Sequence, residues 1–151
     1  MIGVKIFFNA IWFLCYLLLN AKETKAGPFK DFYACYVTHV CECGLLDQYN
    51  QCYLKAPQSI RHLGADIFRD YFPGNFTGDD GLIPFTTQMC KDKENELFFK
   101  IWDRTEKELR AFERKMVMNL MLARDSVKTQ TAKACVSPLI ARCIEYGNAC
   151  R

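Results

Sequence analysis

The sequence predicts an all-α protein: a small, disulfide-stapled helical bundle of four to five helices, with one long helix at about 94–124. Three observations predict it. Ile60, Leu63, Ile67, Phe68 and Tyr71 recur at helical spacing and make one continuous apolar stripe. Phe98, Trp102, Leu109, Phe112, Met116 and Leu120 keep a second apolar face. Beside it run the acid-first pairs Glu96 with Lys100, Asp103 with Lys107 and Glu106 with Arg110, each four residues apart. The third observation is sulfur: 9 cysteines stand in 151 residues, and all but Cys15 lie beyond a leader-like start.

That start sets the expected compartment. Lys5 precedes the apolar run IFFNAIWFLCYLLL, residues 6–19, and small residues follow at Ala21 and Ala26. This is the layout of a secretory signal peptide. The uncharged run from Ile6 to Ala21 contains Asn9 and Asn20 and is shorter than the ~20 apolar residues a spanning helix needs. Cleavage is therefore expected rather than anchoring, after Ala21 or Ala26, with Ala26 preferred. Residues 1–26 then form the signal peptide and 27–151 a single helical cysteine-rich domain, secreted to the extracellular space. Cleavage leaves Cys35, Cys41, Cys43, Cys52, Cys90, Cys135, Cys143 and Cys150, an even set expected to form four disulfides. It also removes Lys5, Lys22 and Lys25 against Glu23, so the formal charge falls from +3 to about +1. Near balance gives no electrostatic reason to expect nucleic acid or an anionic membrane as partner, and no nucleic acid is expected.

The elements follow in order. Phe32, Tyr33, Tyr36, Val37 and Val40 predict a first helix over 30–43, ending near Gly44. A second piece covers 45–54, before Pro57. The third helix carries the stripe from Ile60 to Tyr71, with Ser59 as its N-cap and Pro73-Gly74 as its stop. Residues 74–88, GNFTGDDGLIPFTTQ, hold three Gly and one Pro and read as a loop. A helix of ~30 residues over 94–124 would be about 45 Å long. That exceeds the normal span of such a domain, so a bend near Thr105 or an overhanging end is expected. Its last stretch, MVMNLML at 116–122, is apolar nearly all round and is expected to be buried. The alternative is a cavity lining, where Met116, Met118 and Met121 would suit a lipid-like ligand. A short final helix begins with Ser137 as cap and Pro138 at its first position. Its inner face is Leu139, Ile140, Cys143 and Ile144, and Gly147 ends it.

Chemistry is sought first in ACYVTHVCECGLLDQYNQC, residues 34–52. On a helix Cys35, His39 and Cys43 would share a face. The gaps Cys35-x5-Cys41, Cys41-x-Cys43 and Cys43-x8-Cys52 do not match the usual zinc knuckle, and an oxidising compartment consumes the thiolates zinc needs. Staples are expected, with no metal and no cofactor, and at least two bridges joining 35–52 to 90–150. The Cys35-x3-His39-x-Cys41 arrangement resembles that of secreted phospholipases A2. That family has Asp where Val40 stands here, and it has a glycine-rich calcium loop that this chain lacks, so its activity is not carried over. With His39 and His62 as the sole histidines, and no Gly-x-Ser-x-Gly elbow, no catalytic residue is singled out.

Two binding features remain. Asn75-Phe76-Thr77 is an N-glycosylation acceptor in the predicted loop. Phe76, Leu82, Ile83 and Phe85 in the same loop are candidate contacts for a partner, or else fold onto the core. The expected function is therefore a secreted, disulfide-rich, non-enzymatic glycoprotein. It would bind an extracellular or cell-surface protein target, as toxin-like venom and salivary effectors and signalling factors do. One alternative is an extracellular carrier of a small apolar ligand. In size, helicity and disulfide use the chain is similar to insect odorant-binding proteins, whose close cysteine pair is spaced by three residues where this chain has Cys41-x-Cys43. A secreted hydrolase is the second alternative.

Overall fold

The computed structural model describes residues 28–147, 149 and 150; the expected signal segment and the side chain of Ile144 lie outside the described residues. Six α-helices form among them: α1 (Pro28–Cys41), α2 (Leu46–Tyr53), α3 (Gln58–Tyr71), α4 (Ile83–Lys91), α5 (Glu96–Val117) and α6 (Ala123–Tyr146). A 3₁₀ turn, Leu120–Leu122, joins the last two. No strand occurs among the described residues, and no described helix is long and apolar enough to cross a membrane.

α1 is the hub. Tyr33, Tyr36, Val37 and Val40 are buried along it, and it touches α2, α4, α5 and α6. The core it organises is aromatic. Tyr36 packs on Trp102 at 4.7 Å and edge-on to Tyr49 at 5.2 Å. Phe98 stacks on Phe72 at 5.5 Å and meets Phe85 at 5.9 Å. Such pairs add to area burial because ring edges carry positive partial charge and faces negative.

Four disulfides fasten this core: Cys35–Cys143, Cys41–Cys90, Cys43–Cys150 and Cys52–Cys135. Every one joins the 35–52 segment to the 90–150 segment. Cys41 closes α1, while Cys43 lies past its end, before Gly44 at φ +67°. The two neighbouring cysteines thus reach α4 and the chain beyond α6.

Several boundaries differ from the sequence reading, each for a local reason. The long helix stops at Val117 instead of running to 124, and it is unbroken at Thr105, whose hydroxyl donates to the Ile101 carbonyl within the helix. Asn119 explains the stop: its side chain accepts from Met121 N–H and starts the 3₁₀ turn. The final helix begins at Ala123 rather than Ser137. Ser137 is no cap; its hydroxyl donates to the Lys133 carbonyl one turn back. Pro138 sits inside the helix, on an exposed face where water can satisfy the carbonyl left without an amide partner. Ser59 is likewise not a cap. Pro57 holds that position, and Ser59 donates to Asp125 of α6 at 2.8 Å. The expected loop 74–88 contains the start of α4, because Pro84 in the first turn has no amide for the helix to miss.

The largest departure is at 116–122. Met116 alone is buried, at 3 % exposure, while Val117, Met118, Leu120 and Met121 are 79–94 % exposed. Keeping such side chains in water forgoes roughly 1.5–3 kcal/mol apiece. The cause is topological: the chain reverses here between α5 and α6, and the reversal points away from the body of the bundle.

Candidate functional site

A cavity of about 500 Å³ lies among the helices. Tyr36 of α1, Tyr49 of α2, Phe68 of α3, Trp102 of α5 and Val136 and Ile140 of α6 supply its inner surface. The volume falls within the range of small-molecule pockets, about 300–1,000 Å³. Phe32, Thr77, Asp80, Lys133 and Ser137, the exposed members of its wall, mark where it reaches solvent.

The polar groups of the wall are mostly occupied. Tyr36 shares a hydrogen bond with Thr86 Oγ1 at 3.0 Å, and burial holds its hydroxyl protonated. Glu113 is paired with Lys133 and Glu106 with Arg110 at the rim. The indole N–H of Trp102 is different: it is buried and has no acceptor among the described residues. The cavity therefore offers aromatic faces and aliphatic side chains, while the Trp102 N–H is closed off from it.

Behind the Tyr49 side of the wall stands His39, only 1 % exposed. The Tyr49 hydroxyl, which burial pushes up to about 12, shares a hydrogen bond with His39 Nδ1 at 2.8 Å. The other ring nitrogen, Nε2, faces Cys35 Sγ at 3.5 Å and Cys143 Sγ at 4.0 Å. The three potential ligand atoms lie within 4.8 Å of one another. The Cys35–Cys143 bond joins the two sulfurs, so in the oxidised protein they offer no thiolate to a metal.

The ring is held neutral. Burial, then the Arg142 guanidinium, lowers the His39 pKa below the ordinary histidine value. In the unfolded chain histidine titrates near ~6.5, so as pH falls the unfolded state takes up the proton first. The stability this histidine contributes is complete above that pH and is lost as pH falls through the lower folded value. Thermal melts between about pH 7 and about pH 5 should show a fall in melting temperature that is shallower in His39→Gln. Parallel slopes would show that the ring does not carry this pH dependence.

The structure distributes the other candidates plainly. Phe76, Leu82 and Phe85 are half-buried, pack against the core and line the cavity, whereas Ile83 is 43 % exposed. Asn75 is exposed, leaving the acceptor site open to solvent. His62 lies on the surface beside Gln58. The cavity residues Tyr36, Tyr49, Phe68 and Trp102 went unrecognised as a site. Their only signal is an aromatic residue on an inward helix face, which ordinary core packing produces equally. Set beside known protein families, curated proteins and solved structures, the chain matches none.

Proposed function

We propose that the protein is an extracellular, non-enzymatic carrier of a small, neutral, largely hydrocarbon ligand. The cavity carries this reading: a space of about 500 Å³ walled mostly by aromatic and aliphatic side chains. An uncharged ligand fits because Asp80, Glu106 and Glu113 stand on the wall against Lys133 alone, and Lys133 is already paired. Four disulfides and a leader-like first segment support export. Binding to a protein target has less support, since three of the four loop residues offered for it turn inward.

The test is uptake of the neutral fluorophore Nile red by the oxidised protein. Saturable binding is expected, displaced by a long-chain alcohol more readily than by the fatty acid of equal length. Ala132→Trp, which fills the wall from α6, should weaken uptake at least tenfold while the circular dichroism stays helical. If that variant misfolds, Leu109→Trp on α5 serves the same purpose. Absence of saturable uptake, or uptake unchanged in the folded variant, would overturn the carrier reading.

A further inference from the structure

A second feature, independent of the cavity, stands at the reversal between α5 and α6. Val117, Met118, Leu120 and Met121 stand there at 79–94 % exposure, and Val127 adds to them at 67 %. Side chains that exposed have almost no protein neighbours, so the patch is a projecting tip and not a groove. Around it are Arg114, Lys115, Arg124 and Lys128, all exposed.

The cations are not explained by the fold. None of the ion pairs among the described residues uses any of the four. Arg114 and Lys115 lie in the last turn of α5, where the helix dipole favours positive charge. Arg124 and Lys128 lie in the first two turns of α6, where the dipole disfavours it. Residues 114–128 hold these four cations against Asp125 alone, a net of about +3. The rest of 27–151 therefore nets about −2, so the positive charge is concentrated at the apolar tip.

We infer that this tip docks on an anionic lipid bilayer, inserting Met118, Leu120 and Met121 among the acyl chains while the four cations meet the headgroups. A projecting cluster of flexible methionine and leucine side chains needs no preformed pocket in a fluid bilayer, whereas a protein partner would have to supply one. The charge pattern is that of interfacial anchors, an apolar wedge within a basic collar. Docking stands whether or not the cavity is loaded, and failure of Nile red uptake would leave it untouched.

The experiment is sedimentation of the oxidised full-chain product with vesicles of phosphatidylcholine alone and of phosphatidylcholine mixed with phosphatidylserine. Binding to the mixed vesicles is expected, weakening as salt rises, with little binding to the neutral ones. Each cation is worth about fivefold, so Lys115→Gln with Lys128→Gln should weaken binding about 25-fold. Leu120→Glu with Met121→Glu should abolish it; both side chains are 90 % exposed or more, so the fold should survive. A Leu120→Trp reporter should shift its fluorescence to the blue on mixed vesicles. No binding, equal binding to both vesicle types, or indifference to both double variants would overturn the inference. So would a dimer in sedimentation equilibrium that the Leu120→Glu, Met121→Glu pair dissociates, because the tip would then belong to a second copy.

Discussion

Replacing Cys41 and Cys90 by alanine should lower stability by about 4 kcal/mol, whereas replacing Cys43 and Cys150 should cost only about 3 kcal/mol. The loops closed, 49 and 107 residues, would suggest the opposite order. The difference lies in nesting. Cys35–Cys143 already brings the same two regions together, so Cys43–Cys150 closes an effective loop of about 15 residues, counted from Cys35 to Cys43 and from Cys143 to Cys150. Cys41–Cys90 has no such shortcut. Removing Cys35–Cys143 and Cys43–Cys150 together should then cost about 6–7 kcal/mol, because Cys52–Cys135 still holds the two regions together and leaves an effective loop of about 25 residues, counted from Cys35 to Cys52 and from Cys135 to Cys143. Denaturant unfolding of the three variants measures this. Equal costs for the two single deletions, or a double loss near that of a full 107-residue loop reopened, would show that this nesting does not govern these bridges. The Cys41, Cys90 variant should also melt about 15 °C lower than the parent.

Phe98→Ala should destabilise by about 3–5 kcal/mol, with Phe98→Leu losing much less. Phe98 is 2 % exposed and sits between Phe72 and Phe85, so its removal empties the junction of α5 with α3 and α4. The matched control is Leu120→Ala. That residue belongs to the same apolar stripe in sequence but is 94 % exposed, and its loss should fall within about 0.5 kcal/mol. Urea midpoints with unchanged slopes would measure both. A large loss at Leu120 would mean that the tip is covered in solution.

Those two residues show how far periodicity reaches. It separates helix from strand well: the stripe from Ile60 to Tyr71 lies in α3, and Phe98 and Met116 are buried on α5 as their spacing predicts. It does not tell where a helix turns back. Asn119 ends α5 through a side-chain hydrogen bond, and once it does, Leu120 leaves the face that spacing assigned it to. Prolines misled in the same manner. Pro84 looked like loop and begins α4; Pro138 looked like a helix start and lies within α6, since an exposed carbonyl tolerates the missing amide. The bridging of 35–52 to 90–150 was legible from where the cysteines stand, but the pairing was not, because many connectivities share one spacing. The cavity was not legible at all. Its walls come from residues as distant as Tyr36 and Ile140, and only the packed arrangement distinguishes a space between them from a contact.

The bridge pattern also has a consequence for biosynthesis. Cys35, Cys41, Cys43 and Cys52 leave the ribosome with no native mate yet made. At about 5–20 residues per second, Cys150 trails its mate Cys43 by about 5–20 s. Four early thiols crowded into one short stretch will oxidise among themselves in an export compartment unless isomerase action undoes those pairings. A host without a disulfide isomerase should therefore make the helices and miss the weave.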